Sequence, residues 1–298
     1  MPELPEVESL RRSLEPLIVN QRIVKIEITK PKLVSAKGTT RQPNPLKVAE
    51  FIKELTDEKI SLVRRRVKNL IFEFTSGKIM LVHLKMTGQL VYVDRNQNSI
   101  SGGHPINLTA EDLPSKHSHV IFTFENGTLY FNDTRMFGYL LYYPDFAAVL
   151  SDGHFEKVGL EPLSQEFTEK YFVREFKKLA GAVKKNFLEN KVVVGLGNIY
   201  SDEVCHHAGV RPTRKNQSLT KSELKKLYSA IQIILPKAIS EGGSSIADYL
   251  LADGSRGNYA RYHQVYNRGG KECYTCGQIL EKVKIGSRTT VFCKICQK

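Results

Sequence analysis

The sequence predicts an α+β chain of several domains: a β-sandwich or barrel-like first part with flanking helices, a helical second part, and a cysteine-rich end. Three observations predict it. Between residues 22 and 143, short runs of alternating apolar residues are separated by tight-turn signals such as Ser76-Gly77 and Asn126-Gly127. From Phe167 onward the apolar period lengthens to that of a helix. Four of the five cysteines then fall between Cys273 and Cys296 as two Cys-x-x-Cys pairs. At 298 residues, with 41% hydrophobic content, the chain is long enough to build more than one core.

Taken in order, Leu4 to Leu17 is expected to be a helix. Pro5 suits the first helical position, Glu6 and Glu8 suit the positive N-terminal end, and Val7, Leu10, Leu14 and Leu17 recur at helical spacing. Pro16 predicts that the helix ends nearby. Arg22–Thr29 alternates as a half-buried strand does, and Leu46–Leu55 reads as a short helix. Further strands are expected at Ser61–Val67, Asn69–Phe74, Lys78–Leu84, Gln89–Val93, His119–Phe124, Thr128–Asn132 and Gly138–Tyr143. Asp94 to Ser118, polar and rich in Asn, Ser and Gly, reads as a mobile loop. Asp145 to Pro162 reads as a connection, after which helices are expected at Phe167–Leu179, Asn198–Ala208 and from the capping box Thr220/Glu223 to about Ile239. The expected division is 1–148, a linker at 149–163, then 164–241 and 242–298.

No run of about 18 apolar residues exists, so no membrane span is expected. The start, MPELPEVESL, lacks the basic and apolar segments of a signal peptide, which points to a cytoplasmic protein. The net charge is +13, and Arg211 to Lys298 alone carries 16 Lys and Arg against 6 Asp and Glu. Such a basic end suits a polyanion, above all nucleic acid, with simple solubility charge as the alternative.

Several constellations carry chemistry. Cys273, Cys276, Cys293 and Cys296, with 16 residues between the pairs, have the spacing of a four-thiolate zinc site. Four thiolates leave no open position, so the predicted zinc is structural. Removal of Met1 would leave Pro2 with a free secondary amine. An α-amino group has a pKa of roughly 7.7–8.0, and it can attack an electrophilic carbon. Glu3 beside it is a proton donor or acceptor, although both residues also fit an ordinary helix start. Gly195-Leu196-Gly197 precedes a helix start at Asn198, an arrangement that suits a phosphate or merely a tight turn. Arg64-Arg65-Arg66-Val67-Lys68 is a solvated face or a groove lining. His83-Leu84-Lys85-Met86-Thr87-Gly88 and Asp133-Thr134-Arg135-Met136-Phe137-Gly138 each end a strand with apolar residues near a glycine. Met and Phe there are either wedges for an opened base stack or ordinary core. Cys205 reads as a helix-core residue.

Together these motifs resemble the bacterial formamidopyrimidine-DNA glycosylase family, from Pro2-Glu3-Leu4-Pro5-Glu6-Val7-Glu8 through Gly195-Leu196-Gly197-Asn198-Ile199-Tyr200 to the last cysteine. The resemblance implies an N-terminal β-sandwich, a helix–two-turn–helix module and a zinc finger, with DNA held between domains. It implies a glycosylase and abasic-site lyase acting as a monomer on duplex DNA with oxidised purines or abasic sites, in a bacterial cytoplasm or nucleoid. By the same resemblance Pro2 is the Schiff-base nucleophile and Glu3 the acid/base. Lys68 assists elimination and contacts phosphate, and Arg288 binds phosphate and assists the second elimination. His83, His117, Arg135, Lys178 and Asn198 are implied DNA contacts. Met86, Arg135 and Phe137 fill the gap left by a flipped nucleotide. The implied cofactor is one structural zinc ion. The sequence departs from the pattern at Lys85, usually glycine, in the long 94–118 segment, and in a basic cluster reduced to Lys177-Lys178. An endonuclease VIII-like enzyme for oxidised pyrimidines would begin Pro-Glu-Gly-Pro-Glu and lack the trio, so Leu4 and Phe137 argue against it. A non-catalytic zinc-ribbon DNA-binding protein would have no need of Pro2, Glu3 and Lys68 together.

Overall fold

The computed structural model describes residues 2–38, 41–103, 109–244 and 257–298. The chain forms two compact units, Met1–Glu156 with Ser245–Gly257, and Lys157–Ser244 with Asn258–Lys298.

The first unit opens with helix α1 (Leu4–Ile18). Strand β1 (Ile23–Ile28), a single helical turn α2 (Lys32–Ser35) and helix α3 (Pro45–Leu55) follow. Asn44 caps α3 by accepting from the N–H groups of Leu46 and Lys47. Then come β2 (Ile60–Arg66), β3 (Asn69–Phe74), β4 (Ile79–His83), β5 (Gly88–Asp94), β6 (Ser99–Gly103), β7 (Ser118–Phe124), β8 (Gly127–Asp133), β9 (Tyr139–Tyr143) and the short helix α4 (Phe146–Ser151). They make two antiparallel sheets, ordered β1-β7-β8-β5-β6 and β2-β3-β4-β9. Leu70, Phe72, Met80, Val82 and Leu140 of the second sheet share one core with Leu90, Phe122 and Phe131 of the first. Val7, Leu10 and Leu14 of α1 close that core. The architecture is therefore a sandwich and not a barrel. Ile71, Leu81 and Leu141 point to the other face, where Val149 of α4 covers them. That double burial explains why β3 and β4 read as near-continuous apolar runs.

Helix α1 ends at Ile18, close to Pro16 as expected, with Pro16 inside its last turn. Two other expectations differ from the structure. The stretch expected to be a loop from Asp94 to Ser118 contains β6, paired to β5 with Val91 opposite Ser101, and a 3-10 turn at Ala110–Asp112. Residues 104–108 of that stretch lie outside the described residues. Gly102 in this stretch serves packing, not looseness. A Cβ on Gly102 would lie 2.5 Å from Leu10 Cδ1, so glycine lets α1 approach the sheet edge. The predicted connection after Asp145 contains α4, capped by Asp145 accepting from Ala148 N.

In the second unit, α5 (Glu169–Lys178), α6 (Val183–Leu188), α7 (Asn198–His207) and α8 (Lys221–Ser240) surround a core of Phe172, Phe176, Phe187, Tyr200, Leu227 and Ile231. The six-residue α6 was not expected from sequence. The predicted capping box opens α8, with Glu223 N donating to Thr220 Oγ1 and Thr220 N to Glu223 Oε2. Strands β10 (Glu281–Ile285) and β11 (Arg288–Phe292) form a hairpin over a small core of Val265, Leu280 and Val291 beside Cys273 and Cys293.

Candidate functional site

Glu3 is the N-cap of α1. Its carboxylate accepts from the N–H of Glu6, and the Glu6 carboxylate accepts from the N–H of Glu3 at 2.8 Å. This reciprocal bond places Glu3, 3% exposed, at the positive end of the helix, with Pro2 next to it. Cα pairing of Arg66 with Asn69 makes Val67-Lys68 a two-residue hairpin loop. Val67 has φ +57°, a conformation that a β-branched residue seldom adopts. Arg65 Nη1 donates to Val67 O at 2.9 Å, and Arg65 Nε donates to Glu8 Oε2 at 3.1 Å. One guanidinium thus ties the Lys68 loop to the helix that carries Glu3. Lys68 itself is buried. Of the two readings open for the 64–68 run, a solvated face or a groove lining, neither foresees the Arg65 pairing, because it exists only once α1 lies on β2.

His83 ends β4, and its Nδ1 accepts from Lys85 N at 2.9 Å. Burial, and then the charges of Lys85 and Lys68, hold its pKa well below the usual histidine range. His83 is therefore a neutral ring with its proton on Nε2, a hydrogen-bond donor without charge. Lys85 has φ +51°, which explains why glycine suits this position. Its ammonium lies 5.4 Å from the centroid of the Tyr139 ring.

The two wedge stretches meet. Thr87 Oγ1 donates to Asp133 Oδ1, and Arg135 N donates to both Thr87 Oγ1 and Asp133 Oδ1 at 3.1 Å. Gly138 N donates to Asp133 Oδ2 at 2.7 Å. The buried Asp133 carboxylate thereby pins both ends of the 133–138 turn, and Thr87 ties that turn to the loop bearing Met86. Arg135 is exposed, with its guanidinium 4.5 Å from the Phe137 ring centroid, while Met86 and Phe137 are half-buried. His117 enters this corner through its carbonyl, which accepts from Asp133 N at 3.0 Å. Sequence reading missed Asp133 and Thr87 as the organisers. An acid and a hydroxyl at strand ends carry no signal until the ends are side by side.

In the second unit a pocket of about 460 Å³ is lined by Asn198, Lys282, Ser287, Arg288 and Thr289 among others. It brings the predicted Asn198 and Arg288 together. Asn198 Oδ1 is buried with no hydrogen-bond partner among the described residues. Gly195 has φ +87° and is held by Asn190 Oδ1, while Gly197 is the N-cap of α7, so the glycines shape the turn that presents Asn198. Lys178 is not brought there. It lies exposed at the end of α5 and pairs with Glu175 at 2.9 Å. Lys184 is buried instead, bonded to Asp202 Oδ1 at 2.7 Å and to Thr289 O at 3.1 Å, while Val291 N donates to Asp202 Oδ2. This pair docks β11 on α7 and so sets Arg288 relative to Asn198.

The sulfurs of Cys273, Cys276, Cys293 and Cys296 lie within 4.8 Å of one another, with Cys276–Cys293 at 3.4 Å and Cys273–Cys296 at 3.9 Å. A tetrahedral zinc with Zn–S near 2.3 Å requires sulfurs about 3.8 Å apart, so the donor set fits that ion. When bound, zinc holds the hairpin together and takes no part in bond making. Cys205 is fully buried, as expected of a core thiol.

Comparison with known proteins gives a consistent picture. The formamidopyrimidine-DNA glycosylase N-terminal domain model matches residues 1–140, and the H2TH domain model of the same family matches 158–249. The formamidopyrimidine-DNA glycosylase of Pelotomaculum thermopropionicum is 36% identical over 100% of this chain and 99% of its own length. That of Streptococcus pneumoniae is 37% identical with the same coverage. Among solved structures, the Lactococcus lactis Fpg bound to abasic-site DNA superposes with a TM-score of 0.83 at 36% identity, covering 99% of each chain. A variant of that protein bound to DNA containing Fapy-dG gives 0.84 at 36% identity over 100% of each. With both domain models matched in order and relatives aligned from end to end, the chain belongs to the formamidopyrimidine-DNA glycosylase family.

Proposed function

We propose that this protein excises oxidised purines, 8-oxoguanine and formamidopyrimidines, from duplex DNA and then cleaves the abasic site. The observation that carries the reading is the start of α1, where Pro2 adjoins a capped, buried Glu3 and the Glu8–Arg65 link ties the same helix to the Lys68 loop. End-to-end likeness to structures holding abasic-site and Fapy-dG DNA supports it. A base inside a duplex is out of reach, so the nucleotide must be extruded. Met86, Arg135 and Phe137 fill the vacated stack.

The Pro2 nitrogen, once freed by removal of Met1, attacks C1′ of the sugar. The glycosidic C–N bond breaks and the base leaves with its electron pair and a proton. Glu3 moves protons at the sugar as the ring opens, which gives an iminium between Pro2 and C1′. The cation acidifies the C2′ proton, whose removal expels the 3′ phosphate. A second elimination expels the 5′ phosphate, and water releases Pro2. Lys68 and Arg288 carry charge to the phosphates, while Asn198 and neutral His83 supply hydrogen bonds; His117 and Arg135 contact the DNA near the wedge. Lys178, implied by the resemblance as a further contact, is exposed on α5, where it pairs with Glu175. The setting is the DNA-bearing cytoplasm of a bacterial cell, with one chain acting on one lesion.

Borohydride should trap Pro2 covalently on abasic-site or 8-oxoguanine DNA. Pro2→Gly, and a form that keeps Met1, should each lose most of the trapped species. Trapping at the wild-type rate in both would refute the mechanism.

A further inference from the structure

Beyond the residues already given roles, the structure assigns Arg41 as the positioning residue of the wedge turn. It rests on the reading of Phe137 and Arg135 as gap fillers. Arg41 lies outside every motif singled out in the sequence, yet it is nearly buried, at 9% exposure. Its Nη2 donates to Met136 O at 3.2 Å and to Gly138 O, and its Nη1 donates to Phe137 O at 3.4 Å and to Gly38 O. Its Nε is anchored on Lys32 O at 2.6 Å. Three consecutive carbonyls of the turn therefore converge on one planar fork. No carboxylate lies within ion-pair distance of it among the described residues; burial lowers its pKa from the usual arginine value, and the Asp133 charge only partly opposes that.

The turn requires such a clamp. Met136 sits at φ +55°, a left-handed conformation that a side-chain-bearing residue keeps only where its surroundings impose it. At Gly138 a Cβ would meet Phe131 at 2.6 Å, so the turn must close on a glycine. Asp133 grips the turn from the N–H side, at Arg135 and Gly138. Arg41 grips it from the carbonyl side, at residues 136–138. Held between an anion and a cation, Arg135 and Phe137 project as a preformed wedge instead of ordering when DNA arrives. A lysine has one ammonium and no fork, so it cannot reproduce the grip.

A preformed wedge matters most when an intact stack must be opened, and less for an abasic site. The test is single-turnover kinetics on two duplexes, one with 8-oxoguanine and one with a preformed abasic site. Arg41→Lys should lower the ratio of excision to abasic-site cleavage about tenfold, the effect of losing one hydrogen bond to a charged group. Phe137→Ala should lower the same ratio. Glycine at 136 takes positive φ without a clamp, so in a Met136→Gly background Arg41→Lys should change the ratio less than twofold or so. That double variant also serves if Arg41→Lys alone folds poorly. Equal slowing on both duplexes by Arg41→Lys, while Phe137→Ala keeps its selective effect, overturns the clamp, and so does full additivity with Met136→Gly. If Phe137→Ala shows no selective effect, the wedge reading falls, and the role of Arg41 with it.

Discussion

Glu8 shows how a single residue organises charge on the helix that Glu3 caps. It receives Arg11 at 2.9 Å, Arg12 at 2.9 Å and Arg65 at 3.1 Å. Burial pushes its pKa up, but hydrogen bonds from Arg11 and Arg12 and the charges of Arg65 and Arg11 outweigh burial and hold it below the usual range. A carboxyl whose folded pKa is depressed adds stability that is complete above its unfolded pKa, about 4.3 for glutamate. That stability is lost as pH falls through the folded value. The wild type should therefore lose more stability than Glu8→Gln between pH 7 and pH 3. Urea unfolding at both pH values measures the difference. Equal losses would mean that the arginine cluster is solvated and contributes nothing.

At the scale of elements, the zinc hairpin depends on more than its metal. Lys184 on α6 and Asp202 on α7 are both fully buried, and each also bonds the backbone of β11. Burial pushes the Asp202 carboxyl up to about 7 even with Lys184 opposing the shift. Removing one partner from such a pair leaves an uncompensated buried charge, which costs about 3–5 kcal/mol. Lys184→Met should lower the stability of the second unit by that order in urea unfolding. Replacing both, as Lys184→Met with Asp202→Leu, should recover part of it because no lone charge remains. Recovery of stability without recovery of DNA binding would show that the pair orients β11 and Arg288. A mild effect of Lys184→Met alone would show that water reaches the pair.

For the whole molecule, the proposed DNA contacts come from both units, Lys68 from the first and Asn198 and Arg288 from the second. Each neutralised phosphate releases counterions, so log affinity on duplex DNA falls with log salt by roughly 0.9 per contact. Arg288→Ala should reduce that slope by about one unit. Asn198→Ala should weaken binding with little change in slope, since it removes a neutral hydrogen bond worth on the order of 1 kcal/mol. Binding titrations at several salt concentrations separate the two. An unchanged slope for Arg288→Ala would show that the zinc hairpin does not meet the backbone. The strongly basic stretch from Arg211 to Lys298 supplies the wider field in which these contacts act.

What the sequence determined by itself was local or carried by spacing. Strand Asn69–Phe74, the Thr220/Glu223 capping box and the two Cys-x-x-Cys knuckles were legible because each depends on residues a few positions apart. Strand β6 was not, because Ser99–Gly103 takes its structure from pairing with β5 and from the approach of Leu10 on α1. Arg41, Arg65, Asp133 and Lys184 were likewise silent. A charged side chain in sequence reads as solvated surface, and only tertiary packing removes it from water and forces it to find partners. Those partners are the carbonyls of Met136 and Val67, the amides of Arg135 and Gly138, and the backbone of β11, which lie 95 to 105 positions away or at the far side of a turn. The chemistry proposed for Pro2, Glu3, Lys68 and Arg288 rests on residue types that the chain itself displays. The left-handed turns at Val67, Lys85 and Met136 and the side chains that hold them were decided by the fold, since strained backbone persists only where distant groups impose it.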